Sequence, residues 1–324
     1  MNAAHRPLGP TAHGSPDGAG GDPLHPAAPT PRDRRVGFAY GLVGVTAFSL
    51  TLPAMRLAVA HLDPLFVGLG RAVVAAALAG GVLAVTRSPR PRGRQWRDLA
   101  LVALGVVVGF PVLSAYAMRH VDASHGAVLT GLLPLATAGC AAWLAHERPA
   151  RRFWFWALFG SAVVVGYALW RGGGAPHPAD ALLVGAVAAA ALGYAKGATL
   201  SRELGGWQVI SWALVLSVPF LIVPSALSID ARAASAPASA WIAFAYVSLV
   251  SMYLGFFAWY RGLAQGGIAS VGQTQLLQPI LTIIASAAIL AEPLDPLTFA
   301  AAALVIVAIA MGRRRNGENG VRLE

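Results

Sequence analysis

One cysteine, Cys140, stands in 324 residues. A disulfide framework and a cysteine-based metal centre are thereby excluded. Charge is scarce too, with 12% Asp, Glu, Lys and Arg against roughly a quarter in an ordinary soluble domain. So little polar surface could not cover a soluble enzyme of this length. Lysine occurs once, at Lys196, and all fourteen acids fall in tails, loops or helix ends. No aspartate pair stands at membrane depth, Ser114 has no evident base, and His146-Glu147 lacks the second histidine of a zinc motif. Intramembrane catalysis is therefore not expected, nor is a metal or cofactor. The net charge of +10 is too thinly spread, in a chain 56% hydrophobic, to make a nucleic-acid binder.

What the chain does have is long apolar runs. A helical membrane crossing needs roughly 20 apolar residues, and such segments recur at 36–57, 64–85, 99–118, 123–145, 153–170, 181–200, 207–227, 238–260, 269–291 and 296–312. The reading is an all-α polytopic membrane protein with ten transmembrane helices. The runs are too long and too rich in Ala and Leu for a membrane barrel, which needs alternation. Residues 1–35, rich in Pro, Gly, Ala and His, read as a disordered tail, and 313–324 as a short cytoplasmic one. With the N-terminus inside, the inner segments hold sixteen arginines, among them Arg87, Arg97, Arg148, Arg202 and Arg313, and the outer ones four: Arg56, Arg119, Arg171 and Arg232. The positive-inside rule then puts both termini in the cytoplasm of a multi-pass plasma-membrane protein, with the bilayer itself as a partner. All nine tryptophans lie within a turn or two of a predicted helix end, as an interfacial belt.

An internal repeat is visible at a spacing of 145 residues. Leu132, Pro134, Thr137, Ala142 and Glu147 match Leu277, Pro279, Thr282, Ala287 and Glu292. Tyr116 with Ala123-Ser124 corresponds loosely to Tyr260 with Ala269-Ser270. Each half, 36–170 and 181–312, then holds five helices, and an odd number inverts the second half relative to the first. Inverted repeats are a construction of secondary transporters. The segments AYAMRHVDASHGAVLTGLLPL with AHERP, and AWYRGLAQGGIASVGQTQLLQPI with AEPL, resemble the signature of EamA-type transporters of the drug/metabolite transporter superfamily. Arg71 matches the arginine that such proteins carry early in the second helix. The resemblance implies two inverted five-helix repeats, with four helices of each lining a central cavity and the fifth and tenth peripheral. It also implies cargoes such as amino acids and other small metabolites, usually exported.

The polar residues at depth are the candidate site. Gln275 and Gln278 share one helix face, three residues apart, and Thr130 aligns with Gln275. Pro134, Pro279, Pro53 and Pro111 cannot donate to the carbonyls four residues back, freeing those of Thr130, Gln275, Ser49 and Val107. Such backbone is tolerated where it is buried or lines a wet cavity, which makes these prolines candidate gating breaks. Tyr194 and Tyr116 are placed nearby. Arg71 has two roles open, binding a solute carboxylate or serving structure, and so has Lys196, in the sixth helix. His125, Glu147 and Glu292 are the only groups placed to couple transport to protons, and helix-end anchoring accounts for the two glutamates equally well. The expected function is alternating-access transport of a small neutral or zwitterionic, amino acid-like solute, facilitative or weakly coupled. A channel or non-transporting scaffold is the alternative. Gly105-x-x-x-Gly109 serves close helix packing, within the bundle or across a homodimer.

Overall fold

The structure is a computed structural model, and it describes residues 30–144, 150–171, 177–294 and 296–313. Its described elements are all helical. In chain order they form α1 (Pro31–Val59), α2 (Phe66–Val85), α3 (Arg94–Ala117), α4 (Ala123–Leu144), α5 (Arg151–Arg171), α6 (Pro178–Leu204), α7 (Gly206–Leu227), α8 (Ala238–Gly266), α9 (Ile268–Leu290) and α10 (Pro296–Arg313). Among the described residues, eight helices, all but α5 and α10, are long and apolar enough to cross a membrane. The protein is thus a multi-pass helical membrane protein. α5 and α10, of 21 and 18 residues, pack against each other, with Gly160 facing Ala308.

The helices begin and end close to where the apolar runs do, with one instructive shift. α1 starts at Pro31, inside the segment read as tail. Thr30 accepts a hydrogen bond from the Asp33 amide, and the Asp33 carboxylate accepts one from the Thr30 amide. This capping box with proline at the first helical position is a strong local start signal. It extends the helix beyond the apolar stretch.

Several helices depart from α-geometry, those of α3, α4 and α8 near their middles. Wide π-type turns occupy Phe66–Gly70 of α2, Ala103–Gly109 of α3 and Val247–Leu254 of α8. Those in α3 and α8 recur at the same 145-residue spacing as the sequence repeat. α4 is interrupted at Gly131 and Leu132, just before Pro134, and α9 tightens to a 3₁₀ turn over Gln273–Leu277, just before Pro279. Each break lies beside a proline that cannot continue the ladder.

Glycine sets the closest approaches. Gly37 of α1 lies against Gly262 and Gly266 of α8, so near that a Cβ there would come within 2.6 Å of the Gly266 amide nitrogen. Arg261 stacks over the Tyr40 ring at 4.5 Å beside this seam. Gly105 and Gly109 press on Ala189 and Gly193 of α6. The small-residue pattern of α3 is therefore used inside the chain and gives no argument for a homodimer.

One tryptophan leaves the interfacial belt. Trp259 is completely buried and packs on Phe48 and Tyr194, whereas Trp143 and Trp170 are 75% and 59% exposed. Its position seven residues from the end of α8 places it inside because α8 runs on to Gly266 rather than stopping at 260.

Gly37→Val should lower the thermal midpoint markedly, by the equivalent of about 1–3 kcal/mol, because backbone lies in its path. Gly81→Val, with nothing within 4 Å of its Cβ, should leave the midpoint unchanged. Thermal unfolding of both variants in detergent, followed by size-exclusion, checks the pair.

Candidate functional site

One small cavity lies within the bundle beside the wide turns of α2, α3 and α8. Its wall is built by Phe48 and Thr51 of α1, Arg71 of α2, and Val106, Phe110 and Pro111 of α3. α6 adds Ala190 and Tyr194, α8 adds Ser251 and Phe256, and α9 adds Gln278. The free volume is about 20 Å³, room for a water molecule and far below the roughly 300–1,000 Å³ of a small-molecule pocket.

Arg71 is its only charged lining residue among the described ones. The side chain is 2% exposed. Its Nη2 donates to Ser251 Oγ at 2.9 Å and its Nη1 approaches Met55 Sδ at 3.9 Å, while Nε has no partner. Thr51 Oγ1 and Ser251 Oγ lie 2.8 Å apart, so Arg71, Ser251 and Thr51 form one polar strip across three helices. None of the described ion pairs includes Arg71. Gln278, 4% exposed, leaves its Oε1 without a hydrogen bond. The opposite wall is aromatic: Phe48 is stacked with Tyr194, their centroids 6.4 Å apart, and Phe256 is tilted against both.

The residues expected from sequence divide sharply. Arg71, Tyr194, Gln278 and Pro111 line the cavity. Gln275 is fully buried with neither side-chain polar atom partnered, but it is not in the lining. Thr130 is buried and donates back to the Ala127 carbonyl at 2.6 Å. Tyr116 is 38% exposed and is corrected to a surface residue, because its position in α3 faces away from the bundle. Lys196 is likewise removed from the site. Its Nζ pairs with Asp98 at 3.3 Å, toward the end of the bundle where α6 stops and α3 starts.

Two of the four freed carbonyls are not bare. Thr282 of α9 donates to the Ser49 carbonyl at 2.7 Å, repairing the gap left by Pro53. The Gln275 carbonyl, freed by Pro279, accepts the Gln278 amide in a 3₁₀ bond. The expectation that such carbonyls rim the cavity is therefore corrected at both positions.

The acidic candidates serve the helix ends. Glu292 accepts hydrogen bonds from the Ala123 and Ser124 amides, both at 3.1 Å, closing the open start of α4. Arg56 braces the same corner. It donates to the Met118 carbonyl at 3.2 Å, to the Val121 carbonyl, and to Asp122 at 2.7 Å, and it lies 3.8 Å from Glu292. His125 Nε2 is 2.7 Å from Asp180 Oδ1, joining the starts of α4 and α6. Glu147 lies outside the described residues.

Thr51, Ser251, Phe48 and Phe256 are cavity residues that sequence reasoning missed. Only Ser251 left a trace, with Ser248 one turn before it in an apolar run. Serine and threonine hydroxyls in such runs ordinarily bond their own helix, as Ser248 does to Phe244.

Three comparisons bear on this arrangement. The profile of the EamA-like transporter family matches twice, over residues 35–169 and 177–312. An uncharacterized transporter of Bacillus subtilis (strain 168), YdeK, is 47% identical over 278 residues, covering 86% of this chain and 97% of that one. A solved crystal structure, 17% identical, superposes with a TM-score of 0.65 over 87% of this chain and 98% of its own, which shows a shared fold.

Glu292→Ala should strip two amides of their acceptor and destabilise the protein by about 1–3 kcal/mol. Glu292→Gln, which keeps one acceptor oxygen, should recover part of the loss. Thermal midpoints of the two variants in detergent check the order wild type, Gln, Ala.

Proposed function

Since the chain belongs to the EamA-like transporter family and is a membrane transporter, we propose that it moves a small neutral or zwitterionic, amino acid-like metabolite outward by alternating access. The observation that carries this reading is the cavity itself. Its wall takes α1, α2 and α3 from residues 36–170 and α6, α8 and α9 from residues 181–312. A site divided between two repeats changes its exposure when one rocks against the other. Among the described residues α5 and α10 contribute nothing to the lining, in keeping with a peripheral place in a ten-helix bundle.

The inverted arrangement of 36–170 and 181–312 is supported by the matched prolines and by the π-type turns of α3 and α8 at one spacing. The double family match falls on the same halves. Family membership points to a transporter rather than an enzyme. A volume of about 20 Å³ means that the cavity must widen before a metabolite fits, which suits a carrier between its open states better than a standing channel. The glycine seam of α1 and α8 and the corner of Arg56, Asp122 and Glu292 lie toward opposite ends of α1. They are the natural closures of the two gates.

Coupling to protons has little support in the cavity, where no acid stands among the described residues. We assign facilitative or weakly coupled exchange, with His125, held by Asp180, and the gate carboxylate Glu292 as the candidate titratable groups. The arginine distribution favours both termini in the cytoplasm of a plasma-membrane protein.

The test is counterflow. Proteoliposomes loaded with a mixed pool of amino acids, organic acids, amines, nucleosides and polyols should release a subset on exchange, saturably and without an imposed pH gradient. No release of any solute would reject transport, and a strict need for the gradient would reject weak coupling. Gln278→Ala should raise the half-saturation concentration roughly two- to tenfold, the worth of one hydrogen bond, while Gln275→Ala leaves it unchanged.

A further inference from the structure

We propose that Arg71 is the docking point for a carboxylate, so that the transported solute must carry one. This rests on the transporter reading above and revises its solute class to carboxylate-bearing metabolites, keeping the zwitterions, dropping solutes without a carboxylate and admitting anions. A guanidinium cannot give up its proton under ordinary conditions. Buried in a membrane bundle without an acid, it carries a large desolvation cost that something must offset. The described structure offers it one hydroxyl and one thioether. Its Nε is left without a hydrogen-bond partner, and the residue lines the cavity.

Charge balance around it is equally one-sided. Among the described residues the cavity wall contains one full positive charge and no negative one, and its remaining polar groups are hydroxyls and an amide. Lys196 and Arg56 differ in this respect, because Asp98 lies beside the first and Asp122 and Glu292 beside the second. A bound carboxylate would take the guanidinium's paired N–H groups in a fork. Ser251 and Thr51, already linked at 2.8 Å, are within the same strip to donate a further bond. The rest of the solute would lie against Phe48, Tyr194 and Phe256, a surface that accepts apolar groups or, over the ring faces, an ammonium. A structural role alone would predict a partner for the charge, such as a helix-end carbonyl or an acid. Arg71 has neither.

Two measurements test it. In detergent, wild-type protein should be stabilised by acetate and propionate over acetamide and propionamide, with sodium chloride as the salt control, since a ligand of the folded state raises its midpoint. Arg71→Gln should lose that response. Equal stabilisation by acetamide, by chloride alone, or of Arg71→Gln by acetate would overturn the assignment, as would no response at all. Should Arg71→Gln fail to fold, Arg71→Lys keeps the charge without the fork and should respond with at least roughly tenfold weaker affinity. An undiminished response would overturn the fork. In the proteoliposome pool, the released solutes should all bear carboxylates, and release of amines, nucleosides or polyols at equal rates would overturn the inference while leaving transport intact. If nothing is released yet acetate still stabilises wild type and not Arg71→Gln, the transport reading falls and the anion site stands.

Discussion

Lipid cannot hydrogen-bond a peptide group, and most of this structure follows from that one demand. Every interruption of a helical ladder has to be repaired by the chain itself. Pro53 opens α1, and a threonine 233 residues away closes it at the Ser49 carbonyl. Pro279 opens α9, and a 3₁₀ turn closes it locally. Where α4 begins, its first amides are satisfied by Glu292 rather than by a residue of its own segment. Two of these three repairs are long-range, so they also fix which helices are neighbours. Repair and tertiary packing are the same set of contacts.

The same demand explains why the cavity sits beside the irregular turns. Wide turns in α2, α3 and α8 shift the register of side chains by part of a turn. That shift places Arg71, Val106 and Ser251 around one space. Regular helices would have spread these positions over different faces. The strain of irregular backbone is thus located where the chain needs polar groups gathered, and the smooth helical stretches on either side are left to pack on glycine and alanine.

Much of this was legible in the residues, and the illegible part has a physical cause. Apolar length and arginine placement located the helices to within a few residues, because a bilayer imposes both. The repeat was visible through its prolines and glutamates, which are rare in apolar segments. Arg71, Tyr194 and Gln278 were visible as polar residues at depth. Tyr116 and Lys196 were placed wrongly because depth along a helix says nothing of the direction a side chain faces, and π-type turns upset the count of residues per turn. Thr51 and Ser251 were invisible because their hydroxyls look like those that merely back-bond to a helix. The role of Glu292 as a cap for another segment had no local pattern at all.

That cap has a bearing on how the protein is made. The amides of Ala123 and Ser124 wait for a carboxylate 169 and 168 residues downstream. At roughly 5–20 residues per second of synthesis, the start of α4 is in the membrane for about ten to thirty seconds before its acceptor exists. During that interval the first half is an incomplete object, dependent on water at the membrane surface or on the insertion machinery to occupy those amides. Biosynthesis therefore ends with a closing step rather than with two halves maturing in turn, and a ribosome that stalled before residue 292 would leave behind a chain whose earlier half is also unfinished.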